Sequence, residues 1–142
     1  MIFDSKETFD IDSARQRLDW IIKKGKRFEI IVKNPRRSIS QNSYLHLCLT
    51  WFANEYGETV EYIKQDFFKK QVNSDIFKTE FVNQKTGEIR DAWKSTSELD
   101  TAQLTRAIER FRNFASKEAG IYLPEPGDLN AINAMERELS RI

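Results

Sequence analysis

The strongest helix signal in the chain lies at residues 38–57, which read SISQNSYLHLCLTWFANEYG. Ser38 and Gln41 have the spacing of a capping box, and Gly57 stands where a left-handed glycine commonly ends a helix. Two neighbouring apolar stripes run between these ends. A helix this apolar lies in the centre of a core or is half covered by a second subunit, and the pattern favours some of both.

Further helices are predicted on both sides of this segment. Apolar residues at helical spacing predict one helix over about residues 12–24, ending at Gly25, and another over about residues 60–72. Asp100 and Gln103 form a second capping-box pattern, which begins a helix that runs to Gly120. A last helix is predicted from about Leu129.

Two regions predict β-structure. The β-branched run at residues 28–33 predicts a strand that ends before Asn34-Pro35. Residues 76–82 and 88–94 predict a hairpin around a five-residue loop. That loop length places Phe81 opposite Ile89, Glu80 opposite Arg90 as an ion pair, and Phe77 opposite Trp93. The predicted fold class is therefore α+β: a small, mostly antiparallel sheet, with a strand at about 28–33 and a hairpin at 76–94, packed with about five helices.

Length and composition limit the classes of protein to which this chain can belong. The chain has 142 residues with 39% hydrophobic residues, which predicts one folded domain over residues 1–142. A single Cys and a single His exclude a disulfide framework or a structural zinc site within one chain. No apolar run approaches a membrane span, and the N-terminus lacks the pattern of a signal peptide. We expect a cytoplasmic protein without membrane association, metal or cofactor.

Positive charge is concentrated in one part of a chain whose net charge is only +1. Residues 23–37 hold seven cations against the single acid Glu29. This segregation is typical of a nucleic-acid-binding surface, and equally of charges that protect a strand edge from aggregation. The seven are Lys23, Lys24, Lys26, Arg27, Lys33, Arg36 and Arg37.

Arg36 and Arg37 favour the nucleic-acid interpretation. They precede the start of the Ser38 helix, where the helix dipole is positive and a cation is unfavourable unless an anion lies between them. Free helix amides with two guanidinium groups would hold a phosphate. Gln41 and Asn42 add donors and acceptors that can reach a phosphate, sugar or base, although they could instead close the capping box and satisfy a buried carbonyl.

Trp20 is the best candidate for stacking on a base. It lies off the apolar stripe of its helix and close to Lys23–Arg27 in the sequence. The residues for catalysis are poor by comparison. Asp75, Glu88 and Arg90 loosely match a metal-dependent nuclease pattern with Arg in place of Lys, and no nucleotide-binding loop or nucleophile motif occurs. We therefore predict no catalytic residues and no enzyme activity.

The segment Arg37-Ser38-Ile39-Ser40-Gln41-Asn42, with the apolar helix behind it, resembles the NinB (Orf) recombination family of lambda-like phages. Two further matches are the entry Ser95–Leu99 before a long helix and the segment Gly120–Pro124 that closes it. Order and spacing agree over about residues 28–126. The resemblance carries over a DNA-binding role for Arg37, Gln41 and Asn42.

This resemblance implies a non-enzymatic homodimer that binds single-stranded DNA and acts as a recombination mediator. Such a protein helps a recombinase or annealing protein load onto DNA covered by single-strand-binding protein, which it also contacts. For a phage protein the location is the host cytoplasm. Duplex DNA remains open as a second ligand.

Two alternatives of other classes remain. One is a small metal-dependent phage nuclease that uses Asp75, Glu88 or Asp91. The other is a protein–protein adaptor whose basic segment docks an acidic tail.

Overall fold

The computed structural model describes residues 2–33 and 38–141 of the chain. They fall into two compact units, which we call the terminal unit (Met1–Ser38 with Gly127–Ile142) and the central unit (Ile39–Pro126). Helices dominate, and a two-stranded antiparallel sheet completes the predicted α+β fold. No helix of the described residues has the length and apolarity that crossing a bilayer requires.

The terminal unit contains α1 (Thr8–Lys23) and α6 (Leu129–Ser140). The predicted start of α6 is confirmed, whereas α1 begins four residues earlier than the predicted position 12. Polar contacts join the first residues of the unit to its last helix. The Ile2 amide donates to Ser140 Oγ at 3.3 Å, and Arg137 binds Asp4 at 3.0 Å.

Asp10 is the buried member of this set of contacts. Its side chain is 3% exposed and accepts hydrogen bonds from the Asp4 amide at 2.8 Å and from the Arg141 guanidinium at 2.5 Å. The hydrogen bond from the Asp4 amide, with the charge of Arg141, holds the pKa of Asp10 below its ordinary value. The ends of the described chain are thereby joined by charge-assisted hydrogen bonds.

The central unit is built around α2 (Gln41–Tyr56), the predicted apolar helix. Gly57 ends it in the left-handed conformation at φ 89°, as predicted. The predicted cap at Ser38 is wrong: Ser40 is the N-cap, and its side chain accepts from the Ser43 amide. Both apolar stripes are buried within the chain except at Trp51, which is only half-buried. The buried residues of α2 are Tyr44, Leu45, Leu47, Cys48, Leu49, Phe52 and Ala53.

The next helix, α3, begins as Val60–Tyr62 and continues in wider π-helical turns over Ile63–Val72, matching the predicted range. A short helix, α4 (Ser74–Phe77), follows it. The buried Asn73 lies between the two and donates to the carbonyls of Phe68 and Ala107, both at 3.0 Å. The short α4 raises the number of α-helices above the predicted five.

The predicted hairpin forms from β1 (Lys78–Val82) and β2 (Ile89–Trp93), but its predicted register is wrong by one residue. Phe81 lies opposite Arg90, and Glu80 lies opposite Asp91. The reason is Asn83, whose amide donates to the Glu88 carbonyl and extends the pairing by one step. Its side-chain oxygen also accepts two amides of the loop, so the turn spans four residues instead of five.

The ion pair predicted between Glu80 and Arg90 is absent from the described contacts of the hairpin. Arg90 lies over the Phe81 ring at 4.6 Å, and Lys78 pairs with Asp91 at 3.7 Å. The strand predicted at residues 28–33 is also wrong, since the sheet of the described residues contains only β1 and β2. A strand requires a partner for its backbone groups, and residues 28–33 have none among the described residues.

The last helix of the central unit is α5 (Thr101–Phe114), which continues in π-helical turns over Ala115–Ala119. Its predicted capping box of Asp100 and Gln103 is confirmed, and so is its end at Gly120, where φ is 66°. The core of the unit is aromatic, with ring centroids 5.1–5.9 Å apart. Its central rings are Phe52, Phe67, Phe68, Phe77 and Phe111.

Candidate nucleic-acid interface

The predicted basic residues begin where α1 ends. Gly25, in the left-handed conformation at φ 65°, closes the helix, and its amide donates to the Ile22 carbonyl at 3.0 Å. We call residues 23–33 the basic segment. Its five cations are all exposed: Lys23, Lys24, Lys26, Arg27 and Lys33.

The five cations are not neutralised by acidic neighbours. Among residues 2–33 and 38–141, none of the carboxylates lies within ion-pair distance of these side chains. Lys23 and Lys24 lie at the negative end of the α1 dipole, where each cation is stabilised by about 0.3–1 kcal/mol. The α1 dipole therefore stabilises two of the five exposed cations.

Trp20 lies beside this surface, as the sequence predicted. Its side chain is 40% exposed, and the Lys26 ammonium lies 5.1 Å from its ring. The Arg17 guanidinium lies 4.6 Å from the same ring. Arg17 was missed from the sequence because it precedes the basic segment, although its spacing of three residues from Trp20 on one helix indicates the contact.

Arg36 and Arg37, the predicted phosphate-binding pair, lie outside the described residues. The observed start of α2 bears on their prediction, because Gln41 and not Ser38 begins the helix. The sequence distance between Arg37 and the free helix amides is therefore longer than predicted. The phosphate site at this point stays a prediction.

Gln41 already has partners within the protein. Its side-chain amide donates to the Thr105 hydroxyl at 2.8 Å and to the Thr101 carbonyl at 3.2 Å. These bonds tie the start of α2 to the first turns of α5. The group predicted to bind DNA is thus used to hold two helices together.

Asn42 is exposed and lines a cavity of about 400 Å³ in the central unit. Leu45 and Leu49 give the cavity apolar lining, while His46 and Lys64 add polar groups. His46 lies one helical turn after Asn42, and its ring nitrogen lies 3.5 Å from the Thr50 hydroxyl. Asn42 therefore faces an open cleft of mixed polar and apolar lining, where its amide is accessible.

Two of the three acidic residues of the nuclease alternative, Asp75 and Asp91, have other partners. Asp75 accepts two hydrogen bonds from Arg110 at 2.8 and 3.0 Å, and these bonds hold the pKa of Asp75 below its usual range. Asp91 pairs with Lys78. In the described parts of the chain, no three His, Cys, Asp or Glu side chains come together as metal ligands.

No family model, curated protein or solved structure matches this chain. The resemblance to the NinB family therefore stays a prediction from the sequence motifs.

Proposed function

We propose that this protein binds single-stranded DNA through the basic segment and acts as a recombination mediator without enzymatic activity. The observation that carries the proposal is the set of five exposed cations at residues 23–33, which no described carboxylate neutralises. A net charge of +1 gives no attraction to DNA over long distances. Attraction to phosphate must then come from this local surface.

Trp20 supplies the second requirement of single-strand binding. Bases stack on any aromatic face, at about 1–3 kcal/mol per base, and this stacking tolerates every sequence. The Lys26 ammonium lies 5.1 Å from the centre of the Trp20 ring, so a ring and a cation lie together at the end of α1. We expect little sequence preference, because phosphate and stacking contacts do not read base edges.

The role of mediator and its further partners come from the resemblance. The proposed partners are single-stranded DNA, with duplex DNA as a weaker ligand, a single-strand-binding protein and a second copy of the chain. The proposed location is the cytoplasm, which is the host cytoplasm for a phage protein.

The test is a fluorescence-anisotropy titration of labelled oligothymidylate with two variants that lose the same charge. The first replaces Lys23, Lys24, Lys26 and Arg27 by Ala. The second removes four exposed cations from elsewhere, namely Lys6, Lys85, Arg106 and Lys117. We expect the first variant to lose binding and the second to keep most of it.

Equal losses in both variants would show a general charge effect and contradict a site at the basic segment. Absence of wild-type binding at low salt would reject DNA as the ligand. An acidic peptide, the ligand of the adaptor alternative, is titrated under the same conditions to identify that case. Incubation of the oligonucleotide with Mg²⁺ or Mn²⁺ is expected to give no cleavage product, and a product would reject the non-enzymatic role.

A further inference from the structure

Residues 28–32 expose an unusual amount of apolar side chain. Phe28 is 49% exposed, Ile30 76%, Ile31 72% and Val32 86%. Single exposed apolar residues are normal in soluble proteins, but a contiguous run of this kind marks an interaction surface. The run adjoins the basic segment's cations at both of its ends.

Within residues 2–33 and 38–141, the backbone of this run is also without hydrogen-bond partners. None of the amides or carbonyls of residues 28–33 forms a hydrogen bond with a described residue. Ile30, Ile31 and Val32 are β-branched and favour strands, and the described chain supplies no strand beside them. A segment with strand propensity, free backbone groups and exposed apolar side chains is suited to pair with another strand.

We infer that residues 28–33 pair antiparallel with the same residues of a second copy, in a two-fold register centred on Ile31. This register places Glu29 opposite the partner copy's Lys33, so both ends of the pair carry an ion pair. Centring the pair on Ile30 would instead place Arg27 opposite Lys33, which is unfavourable. Charge therefore favours the register centred on Ile31 over the one centred on Ile30.

The same register separates the side chains into two faces. Since successive residues of a strand point to opposite faces, Phe28, Ile30 and Val32 of both copies share one face. The other face carries Ile31 at the centre with the Glu29–Lys33 pairs on both sides. The paired ribbon is thus apolar on one face and largely charged on the other, which is the consistency expected of a correct register.

This inference rests on the homodimer of the proposed function and assigns the residues that form it. Pairing would join two basic segments, so that one strand of DNA meets cations from both copies. DNA binding by a single copy does not depend on it. Failure of the pairing and failure of DNA binding are therefore distinguishable.

The test uses charge reversal at the two paired positions, read by sedimentation velocity over a range of concentrations. Glu29→Lys places Lys opposite Lys33, and Lys33→Glu places Glu opposite Glu29, so each variant alone is expected to dimerise at least about fourfold more weakly. An equimolar mixture of the two variants restores both ion pairs and is expected to form heterodimers. The double variant Glu29→Lys/Lys33→Glu is expected to dimerise like the wild type.

A second measurement fixes the centre of the register. Under oxidising conditions Ile31→Cys is expected to form a disulfide-linked dimer, because residues at the two-fold centre lie directly opposite each other. Ile30→Cys is the matched control and is expected to cross-link much more slowly. The native Cys48 is buried and does not compete.

Several results would overturn the inference. A monomeric wild type at all concentrations, or single variants that dimerise as tightly as the wild type, rejects pairing through this segment. A mixture that stays monomeric, or faster cross-linking at Ile30 than at Ile31, rejects the register. Anisotropy with oligothymidylate is measured on the same samples, so that loss of DNA binding is recorded as a separate result.

Discussion

The side chain of Gln41 separates a structural role from a binding role at the start of α2. The resemblance predicts that this amide binds DNA, whereas the structure shows it donating to the Thr105 hydroxyl and the Thr101 carbonyl. Gln41→Ala removes both hydrogen bonds and leaves the backbone of α2 unchanged. We expect this variant to lose stability and to keep its affinity for DNA.

The size of the loss follows from the two bonds. A neutral intramolecular hydrogen bond stabilises a protein by about 0.5–1.5 kcal/mol, and the half-buried position of Gln41 favours the lower part of that range, so the free energy of unfolding should fall by about 1–2 kcal/mol. For a protein of this length the melting temperature falls by about 4 °C per kcal/mol. The expected decrease in Tm is therefore about 4–8 °C.

The assay combines thermal and urea unfolding with anisotropy titration of oligothymidylate. Asn42→Ala is the matched control, because Asn42 is adjacent, exposed and open to the cleft. It should leave Tm within about 2 °C of the wild type, as is usual for surface substitutions. A Gln41→Ala protein with unchanged stability and a large loss of DNA affinity would refute the structural role and support the binding role.

Three further predictions concern separate parts of the chain. The folded state lowers the pKa of Asp10 below its ordinary value of 3.8, so ionised Asp10 stabilises the fold above that pH and this stabilisation is lost as the pH falls further. In Asp10→Asn, the free energy of unfolding should therefore depend less on pH at the acid end of the curve. Burial raises the pKa of Cys48 to about 11, so a maleimide should label it at neutral pH only as fast as the protein unfolds. Trp20→Ala should weaken oligothymidylate binding by about 1–3 kcal/mol, whereas Tyr122→Ala, which removes another exposed ring, should not.

Local chemistry made several parts of the fold predictable. The capping box of Asp100 and Gln103, the left-handed Gly57 and the helix end at Gly120 are predictable from the sequence, because each depends on a few residues of chain. The same reasoning failed at Ser38. There the predicted capping box needed the Gln41 side chain, which instead donates to the Thr101 carbonyl of α5, 60 residues later in the chain.

The β-structure shows the same limit. The position of the hairpin was correct, but its register depends on how the Asn83 side chain closes the loop, and two loop lengths fit the same sequence. The strand at residues 28–33 was predicted from side chains alone. Whether such a segment forms a strand depends on a partner, and the described chain does not provide one.

The candidate site was predictable where it depends on charge alone. Lys and Arg side chains are almost always exposed, so the accessibility of the five cations of the basic segment is predictable from residue type. The contacts of Lys26 with Trp20 and of Gln41 with α5 depend on three-dimensional packing, and only the structure shows them.

The most direct test of the proposed function is the salt dependence of oligothymidylate binding. With about 0.7 counterions released per single-strand phosphate contact, four contacts give a slope of log affinity on log salt of about −2.8, which is about a 50-fold loss for a fourfold rise in salt. We predict a slope at least this steep for the wild type, and one flatter by about 2.8 after Lys23, Lys24, Lys26 and Arg27 are replaced by Ala. A flat wild-type slope, or the same steep slope in the variant, would contradict DNA binding at the basic segment.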